Sequence, residues 1–122
     1  MQRNPRAHVL LVGSDEVAYG GKRGDGLSWR EWALKEWPMD PSRLHQLPAM
    51  GYDDYKRVIQ RSWVHVYWTV PFILSWSLME AMASGCCIVA SSTPPVEEVI
   101  TSGEQGQLVD FFDPEALSQQ VD

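Results

Sequence analysis

The stretch from Val66 to Ser92, VYWTVPFILSWSLMEAMASGCCIVASS, decides the fold of this chain. It reads as an apolar strand, a turn carrying Ser75 and Ser77, a helix with Glu80 in its first turn and Gly85 at its end, and a second apolar strand. A strand–helix–strand unit of this kind is parallel, and its helix N-terminus points unpaired backbone N–H groups at the crevice beyond the strand ends. Such N–H groups receive phosphate, and a carboxylate near them accepts hydrogen bonds from vicinal sugar hydroxyls. The combination suits a nucleotide-sugar.

Outward from this unit, strand and helix alternate. His8 to Gly13 is a short apolar strand closed by glycine. Ser14 to Ser28 holds four glycines and mixed charges and reads as a long loop. Ser28 followed by Glu31 has capping-box spacing. Trp29, Trp32, Ala33 and Trp37 share one face of the helix that follows, which reads as a core face, or else as an interface, until Pro38 ends it. Leu44–Leu47 is a strand candidate, Tyr52–Arg61 a helix, and Val64–Thr69 and Cys86–Ala90 are apolar strands of the kind buried on both faces. A short helix over Val96–Thr101, a strand over Gln107–Asp110 and a helix opened by Pro114 complete the chain. This alternation predicts an α/β domain with a doubly wound, Rossmann-like parallel sheet flanked by helices, spanning residues 1–122 as one unit.

Composition narrows the function. With 122 residues, 44% of them hydrophobic, the chain suits one globular domain. Sixteen acidic against ten basic residues give a net charge of −6, which disfavours a nucleic-acid partner, and Lys22-Arg23 is the nearest thing to a basic cluster. No apolar run reaches membrane-spanning length, and the N-terminal apolar stretch soon meets Asp15 and Glu16, unlike a secretory signal. A cytoplasmic location is expected, the inner face of the membrane included. Cys86 and Cys87 are adjacent in a predicted strand, so their side chains point to opposite faces, and they read as small core residues. No metal-ligand spacing is evident among the His, Cys, Asp and Glu residues. His8, His45 and His65 have no nucleophile or acid at motif spacing and read as core or surface residues. GGKRGDG lacks the phosphate-loop pattern.

Glu80 has two readings from the residues alone. It is placed to bind ribose hydroxyls, and Ser77-Leu78-Met79-Glu80 is also a capping box in which Glu80 satisfies its own helix. The turn Leu74-Ser75-Trp76-Ser77 either cradles phosphate or simply caps the helix.

PFILSWSLMEAMASGCCIVASSTPPVEEVI (71–100) followed by SGEQGQLVDFFDPEAL (102–117), with SWREW (28–32) and YDDYKRVIQ (52–60), resembles the donor-binding C-terminal domain of retaining glycosyltransferases of family four, which have the two-domain GT-B architecture. The resemblance covers about nine tenths of the chain and implies a nucleotide-diphosphate sugar as substrate, cell-envelope polysaccharide synthesis as a setting, and neither a cofactor nor an essential metal. It maps the ribose-binding glutamate onto Glu80 and the diphosphate-holding turn onto Leu74, Ser75, Trp76 and Ser77. Gly13 and Ser14 fall where the family's ligand approaches the end of a strand, and Leu47 falls at the base pocket. Phe72 stands in place of the first glutamate of the family's pair, so a contact to the donor sugar is lost or is made through the backbone and Ser75. Trp63 and Pro48 also depart from the family pattern.

The resemblance further implies an N-terminal acceptor domain, and a segment upstream of His8 that carries an Arg and a Lys for the diphosphate. Cations at that place stabilise the leaving group's growing charge. The same segment supplies strand one, which in the order 3-2-1-4-5-6 lies mid-sheet. These 122 residues therefore match an incomplete C-terminal half of a GT-B enzyme, expected to be inactive alone. Its strands at His8–Gly13 and Val64–Thr69 either close on each other or receive a strand from a partner chain. Two functions follow: the donor half of a glycosyltransferase with an unidentified acceptor, or a truncated, non-catalytic α/β module that needs a partner to complete its sheet.

Overall fold

A computed structural model of the chain describes residues 3–17 and 20–121. They form five strands and five helices in strict alternation: β1 (Val9–Val12), α1 (Trp29–Glu36), β2 (Leu44–Leu47), α2 (Tyr52–Arg61), β3 (Val64–Tyr67), α3 (Trp76–Ala83), β4 (Cys87–Ser91), α4 (Pro94–Glu97), β5 (Gln107–Val109) and α5 (Pro114–Gln120). All strand pairings are parallel, but the strands make two sheets, β1-β2 and β3-β4-β5. The contacts divide the chain into two compact units, residues 1–50 and 51–122.

In the first unit, Val9 to Val12 run in register with Leu44 to Leu47. Helix α1 starts as its sequence specifies. The Ser28 hydroxyl accepts from Glu31 N at 3.0 Å while the Glu31 carboxylate accepts from Ser28 N at 2.8 Å, a complete capping box. The tryptophan stripe departs from expectation, because no residue of α1 is buried. Trp29, Trp32 and Trp37 instead pack edge-to-face on one another, with the Arg23 guanidinium over the rings of Trp29 and Trp32 at 4.9 and 4.6 Å. A tryptophan ring needs an apolar layer to enter, and a two-stranded sheet with one helix does not supply it. His8 and His45 stack near the surface, with Nδ1 and Nε2 2.9 Å apart.

The second unit holds every buried residue among those described. Ile59 of α2, Tyr67 of β3, Leu78 and Ala81 of α3, Ile88 and Ala90 of β4, and Val96 and Ile100 after it form one cluster. β4 is the central strand, and Ile88 to Ser91 are buried without a break, as a parallel strand covered on both faces requires. The strand begins one residue later than its sequence predicts, and this changes the cysteines. Cys87 is exposed at the strand end, while Cys86 is half-buried with its thiol against the carbonyl of Ile59 at 3.2 Å, and burial pushes that thiol's pKa up. Helix α3 stops in a Schellman turn. Gly85 takes φ +73°, its N–H donates to Met82 O at 3.0 Å, and Cys86 N donates to Ala81 O at 3.1 Å. A residue with a Cβ is strained at that φ, and glycine is not.

Candidate functional site

The site is built where β3 hands over to α3. Beyond Tyr67 the chain runs through Pro71 and Phe72 and re-enters helix at Trp76, so the first turn of α3 follows the carboxyl end of the parallel strand β3. Three buried or half-buried polar contacts fix this passage. The Ser91 hydroxyl donates to Thr69 O at 2.7 Å and accepts from Thr69 N at 3.0 Å, tying the exit of β3 to β4. The buried Tyr67 hydroxyl accepts from Ser75 N at 3.1 Å. Ser75 then caps the helix, its hydroxyl accepting from Ser77 N at 3.1 Å and sharing a hydrogen bond of 2.7 Å with the Ser77 hydroxyl.

This arrangement changes the reading of Glu80. The helix begins at Trp76 with Ser75, not Ser77, as its cap, so Glu80 lies in the second turn and has no backbone amide to box. The capping-box reading falls because a capping-box acid must occupy the third helical position, which here is Leu78. The Glu80 carboxylate is half-exposed and makes no hydrogen bond or ion pair among the described residues. Its charge is felt by Tyr55 of α2, whose hydroxyl pKa is raised first by burial and then by Glu80.

The amides of the turn divide into two sets. Those of Ser75 and Ser77 are engaged by Tyr67 and by the cap. Those of Leu74 and Trp76 have no partner among the described residues, and they lie at the positive end of the α3 dipole. The residues around them are strongly apolar and exposed: Phe72 at 53%, Ile73 at 73% and Trp76 at 82%. The sequence thus identified Leu74, Ser75, Trp76, Ser77, Phe72 and Glu80 as one group, and the fold gathers them within one loop and the first two turns of one helix. It did not foresee Tyr67, whose hydroxyl sets the turn; the only trace is a tyrosine, with its polar tip, at the end of the strand.

Gly13, Ser14 and Leu47 are brought together at the carboxyl end of the β1–β2 pair. Gly13 N donates to Leu47 O at 3.1 Å, and Gly13 O accepts from the Arg30 guanidinium at 3.4 Å. Arg30 also pairs with Asp15 at 3.3 Å, and Asp15 accepts from the Ser28 hydroxyl at 2.6 Å. Ser14 is exposed beside them. No cluster of three or more His, Cys, Asp or Glu residues able to hold a metal occurs among the described residues, and no described helix is long and apolar enough to cross a membrane.

A parallel α/β scaffold with a serine-capped helix following a strand end belongs to the Rossmann-like class of architectures. The family comparison sharpens this: residues 1–122 match the model of the family described as "Glycosyl transferases group 1", and the chain belongs to that family. Two solved structures share its fold. Both are crystal structures of Anabaena Alr3699/HepE, one in complex with UDP (TM-score 0.75) and one with UDP-glucose (TM-score 0.76). Each is 18% identical in sequence, over 95% of this chain. The chain spans 30% of the length of those proteins. No curated protein matches the chain significantly.

Proposed function

We propose that the chain is the donor-side part of a retaining glycosyltransferase of family four, which takes a sugar from a nucleotide diphosphate and passes it to an acceptor held elsewhere. The observation that carries this is the junction of β3 and α3: a capped helix start with two unpartnered amides, and Glu80 one turn further on with an unclaimed carboxylate. Amides at a helix N-terminus take the diphosphate, and a carboxylate takes the two ribose hydroxyls as a double acceptor. That the structurally similar HepE was solved with UDP and with UDP-glucose supports a nucleotide-sugar as ligand. Within this reading Leu74 and Trp76 offer backbone donors, Ser75 and Ser77 order them, and Phe72 contributes a ring where a carboxylate would otherwise face the sugar. No metal or cofactor is invoked, and the reaction takes place on the cytoplasmic side.

A second reading is favoured by one observation. β1 and β3 are each paired on one side only, and none of the first unit's described residues is buried. A chain of this kind also serves as a non-catalytic module whose sheet is completed by a partner strand.

Calorimetric titration of the chain with UDP, GDP and ADP separates the two. The donor reading expects one of them to bind, and Glu80→Ala to weaken that binding at least tenfold with little change in melting temperature, since Glu80 is not part of the cap. Equal affinity in the variant removes Glu80 from the ribose, and no binding of any of the three favours the module.

A further inference from the structure

We propose that His8 and His45 form a two-imidazole site for a divalent transition-metal ion of right-angled coordination, the class of nickel(II) and copper(II), which clasps β1 to β2. The site lies within the first unit and uses none of the residues at 74–80.

The register places the two rings. Leu10 stands opposite His45, and His8 precedes Leu10 by two residues, so His8, Leu10 and His45 share one face of the sheet. The backbone between them is held by the ladder, where Val9 N donates to Arg43 O at 2.8 Å. His8 Nδ1 and His45 Nε2 come within 2.9 Å while the ring centroids stay 5.2 Å apart, so it is through these nitrogens that the nearly parallel rings meet. The second nitrogen of each ring has no partner among the described residues. Each ring can therefore carry its proton there and leave the facing nitrogen as a lone-pair ligand.

The spacing chooses the ion. Metal–imidazole bonds of about 2.0–2.1 Å meeting at a right angle put two nitrogens about 2.9 Å apart, whereas a tetrahedral ion spreads them to about 3.3 Å. The observed separation of 2.9 Å is the right-angled one. Each ring need only swing until both lone pairs converge, a movement that exposed side chains make in picoseconds to nanoseconds. No Asp, Glu or Cys joins the pair as a third ligand among the described residues, so water fills the other positions. The face is open to it, since His8 is exposed and Leu10 is 43% exposed. A pair of imidazoles without carboxylates suits nickel(II) and copper(II) and not a hard ion such as Mg2+. With no buried residue among those described, the first unit has little apolar burial to hold its two strands together. An ion that binds only the paired strands stabilises that pairing by mass action.

The test titrates the 122-residue chain with Ni2+ alone in a non-chelating buffer, followed by calorimetry and by NMR. Ni2+ is used because the exposed Cys87 thiol would compete for copper. One ion should bind per chain, and its paramagnetism should broaden the amide signals of residues 8–10 and 44–46 before any others. His8→Gln and His45→Gln should each weaken binding at least tenfold, whereas His65→Gln, in β3, should leave it unchanged. Ni2+ should raise the melting temperature of the parent and of neither weakened variant. The proposal is overturned by an absence of binding, by binding that survives either of the two substitutions, by broadening centred elsewhere, or by Zn2+ binding more tightly than Ni2+.

Discussion

At the scale of single residues, chemistry is decided by which polar atoms are satisfied. Ser91 and Tyr67 are buried and fully used, each bridging segments that must stay fixed for the turn to keep its form. Among the described residues the half-exposed Glu80 carboxylate and the buried Thr93 hydroxyl have no hydrogen-bond partner. The last is the more expensive condition, since an unmet buried hydroxyl costs about 1–3 kcal/mol. Thr93→Val keeps the shape of the side chain and removes the orphan. The variant should therefore be more stable than the parent by about 1 kcal/mol in urea denaturation, and a loss of stability would mean that the hydroxyl already has a partner, such as a buried water. The sequence marked Glu80, Ser75 and Ser77 because a helix start has a local spacing. It could not mark Thr93, whose meaning comes from neighbours far along the chain.

At the scale of elements, the boundaries turn on single contacts. The choice of Ser75 over Ser77 as cap is made by Tyr67, eight residues earlier, which holds the Ser75 amide and so fixes where extended chain gives way to helix. That one shift moved Glu80 out of the first turn. The approach of β5 to β4 depends in the same way on Gly106. A Cβ there would lie 2.9 Å from the carbonyl oxygen of Ile88 and 3.0 Å from its Cβ, both belonging to a central strand that has nowhere to retreat. Gly106→Ala is expected to cost about 1–3 kcal/mol, as overpacking does. Gly21→Ala, with nothing near its Cβ position, should stay within about 0.5 kcal/mol of the parent. Denaturation followed by tryptophan fluorescence reads both, and equal effects at the two positions would refute the packing account.

At the scale of the whole molecule, the two units differ in what holds them. The second has a three-stranded sheet with a buried central strand, and α2, α3 and the chain around α4 complete its core, while the first has two strands, one helix and no buried residue among those described. Local stability follows buried apolar contact. Hydrogen exchange should thus protect the amides of Ile88 to Ser91 most strongly and those of Val9 to Val12 and Leu44 to Leu47 far less. Uniform protection across both sheets would show that the first unit has a source of stability outside its own side chains.

By itself the sequence determined the order and type of every element, the parallel α/β class, and the grouping of Leu74 to Glu80 at one helix start. Those features are written in short-range patterns: apolar runs, helix-cap serines, a glycine at a helix end and a proline at a helix opening. Only the tertiary structure decided that no residue of α1 is buried, that Cys87 lies outside the core, and that Ser75 rather than Ser77 caps α3. It alone brought the rings of His8 and His45 together. Each of these depends on burial or on a hydrogen bond between residues distant in sequence, and a local pattern carries no information about which distant partner arrives.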